Sequence, residues 1–209
     1  PVWTSTDAYR RVHMAHHRRE FGPDEPGVPL YRGYPITPAS MRRKLRRDAL
    51  GSTGARLWRA QWSAGVRSQD PRVRRTFAKI LFVQAMILAA MWLLGRPLFY
   101  VTFWLVPYLT AWRVINRLRS IAEHGGLHES QDRRETTHSV RQHALARFLL
   151  VPYRIGWHLA HHVDAGVPFR NLPRYHRALI EAGYVGPGLE YRSYPAIWRA
   201  LASGGPTKA

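Results

Sequence analysis

The sequence predicts an all-α, integral-membrane protein in which a two-span helical hairpin carries a histidine-rich helical cap on the cytoplasmic side. Three observations lead to this fold class: one long apolar segment broken by turn residues, arginine-rich flanks on both sides of it, and two histidine triplets at helical spacing. With 209 residues the chain is long enough for a sizeable buried region. We interpret residues 1–209 as a single domain, and no segment has a convincing strand pattern.

The apolar segment runs from residue 77 to residue 112 and reads FAKILFVQAMILAAMWLLGRPLFYVTFWLVPYLTAW. A bilayer core of about 30 Å needs roughly 20 helical residues, so this segment is too long for one span and nearly long enough for two. The Gly-Arg-Pro sequence at 95–97 is typical of a turn, because proline stops a helix. The segment therefore predicts a hairpin of about 77–94 and 98–114, with Arg96 at its tip. The alternative is a buried hairpin in a soluble helical protein, but the segment lacks the polar face of a globular helix.

Arginine-rich sequence stands before the hairpin, in RRKLRRDALGSTGARLWRAQWSAGVRSQDPRVRR, and after it, in WRVINRLRS. The positive-inside rule therefore predicts that both ends of the chain are cytoplasmic. An even number of spans then brings both histidine triplets to the same side of the membrane. The net charge of +19 is explained by a cytoplasmic surface that faces anionic lipid, and we expect no nucleic-acid partner.

The two histidine triplets, in RVHMAHH and WHLAHH, share the pattern H-x-x-H-H. Their members are His13, His16 and His17, and His158, His161 and His162. On a helix, offsets of three and four bring side chains to one face. Neutral imidazole is a usual ligand of iron, zinc and copper. Because cysteine is absent, thiolate-ligated clusters and disulfides are excluded, so a metal would be held by histidine, carboxylate and water.

Most other elements are also predicted to be helical. In chain order they are a helix within 1–20, a proline-rich loop at 21–38, a basic helix at 39–47, a helix at 115–123, an amphipathic stretch at 133–150, the segment 151–165 with the second triplet, a loop at 167–173, a helix at 174–182 and a disordered tail at 203–209. The histidines without triplet spacing are interpreted as solvated or core residues; they are His128, His138 and His143.

In combination, three motifs resemble the membrane fatty acid desaturase family: RVHMAHH, RSIAEHGG at 119–126, and WHLAHHVDAGVPFRNLPRYH at 157–176. The resemblance implies an all-helical membrane fold whose histidine boxes hold two irons on the cytoplasmic side. It carries the role of metal ligand to seven residues: His13, His16, His17, His124, His158, His161 and His162. Ligating histidines commonly donate their other N–H to a carboxylate or carbonyl. The candidates for this supporting role, each of which could also be structural or a surface group, are Glu123, Asp164, Asn171 and His176.

The chain departs from the family pattern in two ways. An earlier H-x(3,4)-H box and a first hairpin are missing, and we expect them upstream, within roughly 80 residues of Pro1. Ala160 stands where many relatives carry Glu, and Asp164 begins a D-A-G variant of the following loop. The second departure concerns the substrate class more than metal binding.

The resemblance implies an oxidoreductase of lipid metabolism that uses two irons and dioxygen to desaturate a fatty acyl chain in the membrane. It also implies an external electron donor, which could be a ferredoxin, a cytochrome b5-like protein or a reductase. Two alternatives remain open on the sequence. One is a hydroxylase of the same superfamily acting on an alkane, carotenoid or sterol-like lipid. The other is an inactive, truncated relative that only binds membranes.

Overall fold

The computed structural model describes residues 3–23, 25 and 27–205. Residues 206–209 of the predicted disordered tail lie outside this range. This described part of the chain is mostly helical, with 65% of its residues in helices. It divides into two compact units, one formed within 1–13 and 43–114 and the other within 14–42 and 115–209.

The described elements follow in chain order. They are α1 (Thr6–Arg18), α2 (Val28–Tyr31), α3 (Pro38–Ala49), α4 (Ser52–Arg67), α5 (Pro71–Leu93), α6 (Leu98–Tyr100), a π-helical turn (Val101–Leu105), α7 (Val106–Leu109), α8 (Ala111–His124), α9 (Arg133–Thr136), β1 (Ser139–Val140), α10 (Ala144–Leu149), a 3₁₀ turn (Pro152–Arg154), α11 (His158–Val163), α12 (Leu172–Glu181), β2 (Glu190–Tyr191) and α13 (Tyr194–Leu201).

The first unit contains the predicted hairpin. Two helical segments, Pro71–Leu93 and Leu98–His124, are long and apolar enough to cross a membrane. In the most apolar stretch of each segment, only 17% of the residues of the first and 0% of those of the second are buried. A core helix of a soluble protein would be mostly buried instead. The turn lies where the sequence predicts it, and Gly95 adopts a φ of +71° that favours glycine. Helix α5 begins six residues earlier than expected, because the Asp70 side chain caps it by accepting from the Arg72 N–H at 2.8 Å.

One polar side chain is buried inside the hairpin. The Gln84 Oε1 atom accepts hydrogen bonds from the Tyr100 hydroxyl and from the Trp104 indole N–H, both at 3.0 Å. Both donors come from the second helical segment, at and within the π-helical turn. The hairpin is therefore joined by hydrogen bonds as well as by apolar packing.

Helix α4 is an element that the sequence interpretation did not include. It packs on the hairpin through two glycines, where a Cβ atom would lie 2.1 Å from the Leu109 carbonyl oxygen at Gly54 and 2.4 Å from the Phe77 ring at Gly65. Such close approach is possible only without a side chain. Trp58 and Trp62 lie on the same side of the helix, with ring centroids 5.7 Å apart.

The second unit is built around fully buried apolar side chains, among them Ile121, Leu159, Leu172, Ile197 and Leu201. It corrects three expectations. Strands β1 and β2 form a short parallel pair with Ser139 opposite Glu190, although no strand was predicted. The expected amphipathic stretch 133–150 is divided among α9, β1 and α10, and the expected loop 21–38 contains helix α2.

Candidate metal centre

Four histidines of the second unit converge on one point. The members are His16 from α1, His124 from the end of α8, and His158 and His162 from α11. Each offers one ring nitrogen, and these nitrogens all lie within 4.8 Å of one another. The last three side chains are buried, and His16 is 13% exposed. We call this group the histidine quartet.

The Nε2 atoms of His124, His158 and His162 face inwards. His158 Nε2 lies 3.1 Å from His124 Nε2 and 3.1 Å from His162 Nε2. His158 and His162 are one turn apart on α11, so their rings lie on the same face of that helix. His124 faces them because it is the last residue of α8, immediately before the buried Gly125.

The Nδ1 atoms of three quartet members face outwards, and each has an acceptor. His124 Nδ1 donates to the Thr136 carbonyl at 2.8 Å. His162 Nδ1 donates to Glu20 Oε1 at 2.5 Å, and His16 Nδ1 donates to Glu25 Oε1 at 2.6 Å. A carbonyl or carboxylate oxygen can only accept, so the proton of each neutral ring is on Nδ1.

Consequently the Nε2 lone pairs of these rings are available to a ligand. Several lone pairs directed at one buried point repel one another, and a cation at that point would stabilise them. Histidine with its other N–H held by a carboxylate or carbonyl is the usual arrangement of a metal ligand. The donor set therefore fits a metal ion such as iron.

Burial also keeps three members of the quartet neutral. It lowers the pKa of His124, His158 and His162 well below the usual histidine range, and the neighbouring histidines lower it further. Neutral imidazole is the form that binds metal, so no proton has to be displaced at neutral pH.

Glu20 connects the quartet to a wider buried network. Its carboxylate also accepts from Arg133 Nη1 at 2.6 Å and from the Thr137 hydroxyl at 3.0 Å. Arg133 donates a second hydrogen bond to the His17 carbonyl at 2.5 Å. Glu20 is 1% exposed, so this carboxylate is compensated entirely by protein groups.

Glu25 has a similar role for His16. It accepts from the Phe21 N–H at 2.7 Å and from the Tyr31 hydroxyl. Burial, together with the hydrogen bond to Glu25, raises the pKa of Tyr31 above its ordinary value, so the phenol remains a donor. Neither Glu20 nor Glu25 was a candidate on the sequence; the available signal was their position, a few residues after the first triplet.

Of the residues considered on the sequence as supporting partners of the ligating histidines, only some lie beside the quartet. Glu123 is buried beside the quartet, with Oε2 3.7 Å from His158 Nε2 and Oε1 accepting from Arg119 Nε at 2.6 Å; burial raises its pKa despite Arg119. Asp164 and Asn171 are both exposed, which corresponds to the surface alternative that the sequence left open for them. Asp164 accepts instead from the Gly166 N–H at 2.8 Å, so it stabilises its own turn.

His176 is buried away from the quartet nitrogens that it was expected to support. Its Nε2 atom donates to Glu190 Oε2 at 2.6 Å, and its ring stacks on Trp157 with centroids 4.5 Å apart. Glu190 belongs to β2 and Trp157 precedes α11. His176 therefore joins α12 to these two segments, which is a structural role.

The remaining triplet members occupy two places. His17 Nε2 lies 3.0 Å from His161 Nε2 in the second unit, so this pair repeats the inward Nε2 arrangement. His13 is the last residue of the first unit, and its ring stacks on Tyr9 with centroids 5.5 Å apart. Helix α1 carries His13 and His17 one turn apart.

The three histidines outside the boxes have other surroundings. His138 is buried and donates from Nε2 to the Gly125 carbonyl at 3.0 Å, and burial lowers its pKa to about 4. His143 caps α10 by accepting from the Ala146 N–H at 3.3 Å. His128 is exposed beside Glu135. None of the three is in the quartet, in line with their interpretation as core or solvated residues.

The fold and the site together define a helical protein with a buried histidine cluster assembled from two H-x-x-H-H boxes and the single histidine His124. The family model described as fatty acid desaturase matches residues 1–195, and the chain belongs to that family. It is 31% identical over 121 residues to dihydrorhizobitoxine desaturase of Bradyrhizobium elkanii. That match covers 57% of this chain but only 33% of the relative, so it spans about a third of the relative's length. No solved structure matches the chain significantly.

Proposed function

We propose that this chain belongs to a membrane-bound oxidoreductase that binds two irons and uses dioxygen to desaturate a fatty acyl chain. The observation that carries the proposal is the histidine quartet, in which one ring nitrogen of each member converges while the Nδ1 atoms of three members donate to Thr136, Glu20 and Glu25. Membership of the desaturase family supports an oxidoreductase. The desaturase name of the bacterial relative favours desaturation over hydroxylation.

In this proposal seven histidines would hold the irons, with the quartet around one of them. They are His13, His16, His17, His124, His158, His161 and His162. The chemistry that iron supplies when bound is activation of dioxygen for hydrogen abstraction from an unactivated methylene carbon. Reduction of dioxygen to two waters takes four electrons; two come from the C–H bonds that become the double bond, and two must come from the external electron donor.

The chain's own residues position and protect the ligands. Glu20 and Glu25 hold the Nδ1 protons of His162 and His16, which fixes the orientation of both rings. The buried carbonyl of Thr136 does the same for His124. Because the quartet is buried, bulk water is kept from its ring nitrogens.

The membrane part of the proposal depends on the hairpin. Its two apolar segments are long enough to span a bilayer and remain largely unburied, as lipid-facing helices would be. We propose that both histidine boxes are on the cytoplasmic side, where the arginine-rich flanks are retained. The substrate would then be an acyl chain that enters the site from the same membrane.

The test uses the full-length gene that encodes this chain, expressed in a host with a known fatty acid profile. We expect purified protein to contain iron, and host lipids to gain unsaturated acyl chains detectable by gas chromatography and mass spectrometry. His158→Ala should abolish both, whereas His128→Ala, which alters an exposed histidine, should abolish neither. An H158A protein with unchanged iron and product would refute the proposal, and an oxygenated lipid in place of an alkene would favour a hydroxylase.

A further inference from the structure

Helix α4 lies across the open end of the hairpin. Gly54, near its start, contacts the Leu109 backbone, and Gly65, near its end, contacts the Phe77 ring. Leu109 is the last residue of α7 and Phe77 is in the second turn of α5, so both mark the end of the hairpin opposite the Gly95 turn. Eleven residues separate the two glycines, which corresponds to about 16 Å of helix. Helix α4 therefore crosses from one apolar helix to the other.

The side of α4 that faces the hairpin is aromatic and small. Besides the two glycines it carries Trp58 and Trp62, and the Trp62 ring packs edge-on against Phe77 at 5.3 Å. Trp3 joins this cluster with its centroid 5.3 Å from Trp58, and the Gln61 amide donates to the Trp3 carbonyl at 2.5 Å. These contacts fix the position of α4 along the hairpin axis.

The opposite side of α4 is basic. Arg56, Arg59 and Arg67 are exposed along one stripe, together with Ser63, at intervals that place them on a single helical face. The helix contains no acidic residue. Within the described part of the chain no carboxylate forms an ion pair with any of these three arginines, so their charges are directed to the surroundings.

We infer that α4 is an interfacial helix that binds anionic lipid headgroups through Arg56, Arg59 and Arg67. This inference rests on the membrane insertion of the hairpin in the proposed function. If the hairpin spans the bilayer, a helix that crosses its open end lies in the headgroup layer. Helix α4 has tryptophan on the side that faces the hairpin and arginine on the opposite side, and both side chains are typical of the headgroup layer. Basic residues there are attracted to anionic lipids within a Debye length.

The depth of α4 can be measured with single spin labels, because residues 1–209 contain no cysteine and any cysteine elsewhere in the full-length protein is first replaced by serine. The probes are Ser63→Cys on the basic face of α4 and Met86→Cys, an exposed side chain in the apolar part of α5. The full-length protein is reconstituted in nanodiscs of phosphatidylcholine with 30% phosphatidylglycerol, and accessibility to oxygen and to a nickel chelate gives the depth. We expect position 86 in the hydrocarbon and position 63 at the level of the phosphates.

The lipid preference is measured by native mass spectrometry of the same nanodiscs. It is expressed as the share of phosphatidylglycerol among the lipids that stay bound to the protein, relative to its share in the nanodisc. The triple variant R56Q/R59Q/R67Q should lower this preference by at least fivefold, since one basic residue near an anionic surface contributes about that factor. The control R147Q/R174Q/R177Q removes the same charge from exposed positions of α10 and α12 and should leave the preference unchanged.

The outcomes separate the inference from the proposed function. A label at position 86 outside the hydrocarbon would refute membrane insertion itself. A label at 86 in the hydrocarbon, with position 63 fully aqueous or with the lipid preference intact in the triple variant, would refute the inference alone. Equal losses in the triple variant and its control would show a general charge effect and would also refute it. The arginines would be assigned to nucleic acid instead if two results were obtained together. The unmodified protein would show no lipid preference, and in detergent it would bind duplex DNA while the triple variant would not.

Discussion

Glu20 and His162 form a buried carboxylate–imidazole pair, with Oε1 and Nδ1 2.5 Å apart and both side chains fully buried. The two residues are 142 positions apart in the chain. Glu20 follows the first histidine triplet and His162 ends the second, so this single contact connects both boxes. Its geometry leaves the Nε2 atom of His162 directed at the other quartet histidines.

Removing this carboxylate should weaken metal binding. We expect Glu20→Ala to lower iron affinity by about 10- to 100-fold, the usual cost of losing an outer partner of a ligating histidine. Glu20→Gln should lose less, because its amide oxygen can still accept from Nδ1. The measurement is metal titration of the purified protein. Glu129→Gln, in an exposed pair with Arg19, should bind iron normally; equal losses in both variants would contradict the assigned role.

The arginine that compensates Glu20 should matter for stability. Arg133→Gln leaves a buried carboxylate with one hydrogen-bonded cation fewer, and breaking such a pair costs about 3 kcal/mol. The matched control is Arg134→Gln in the same helix, because the ion pair of Arg134 with Asp132 is exposed and exposed ion pairs contribute little to stability. Thermal unfolding in detergent compares the two variants. Similar melting temperatures for both would show that the buried network is not stabilising.

The close contact of α4 with the hairpin predicts a strong dependence on glycine. Gly54→Ala would place a Cβ atom 2.1 Å from the Leu109 carbonyl oxygen, and backbone atoms cannot yield as a flexible side chain can. We expect a loss of about 1–3 kcal/mol or more in the free energy of unfolding, read as a lower melting temperature. Gly186→Ala, where a Cβ atom would meet nothing within 4 Å, should be close to neutral. A stable G54A protein would contradict the observed packing.

His138 should contribute to acid sensitivity. Burial lowers its pKa to about 4 in the folded protein, against about 6.5 for an exposed histidine, so below pH 6.5 the unfolded state binds more protons. Stability should therefore fall as the pH decreases from 6.5 to 4, by up to about 3 kcal/mol from this residue. His138→Gln removes the titrating group and can still donate to Gly125. Unfolding of the two proteins at pH 7 and pH 4.5 should diverge, and parallel pH profiles would exclude His138 as the cause.

The proposed orientation is testable with single cysteines at Ser68, Arg96 and Ser130. In sealed right-side-out vesicles an impermeant thiol reagent should label only position 96, since the arginine-rich flanks are expected to stay cytoplasmic. Labelling all three positions after permeabilisation is the control for reactivity. If Ser68 and Ser130 proved to be on opposite faces, the two histidine boxes could not share a site.

The sequence predicted best what depends on neighbouring residues. The turn at Gly95 and the two apolar helices follow from local composition, and the H-x-x-H-H spacing correctly indicated that His158 and His162 share a helical face. The roles of Glu20 and Glu25 could not be read in this way, because each depends on which distant side chains the fold brings to it. Asp164 was selected as a neighbour of the second triplet, but it lies beyond the end of α11 and its side chain caps a surface turn.

Other elements escaped prediction for similar physical reasons. The β1–β2 pair has only two residues per strand, too few for any alternation to be recognised, and it exists because the second unit brings the strands together. Helix α4 contains two glycines, each of which lowers the intrinsic helix propensity by about 1 kcal/mol. Its stability comes from packing on the hairpin through Gly54 and Gly65.

The hydrogen bonds of Gln84 with Tyr100 and Trp104 set the register between the two helices of the hairpin. Sliding one helix past the other by a single turn, about 5.4 Å, would separate the acceptor from both donors. In hydrocarbon each polar group left without a partner costs several kcal/mol. The two helices are therefore fixed relative to one another, and in a bilayer the hairpin would tilt or shift as one rigid body.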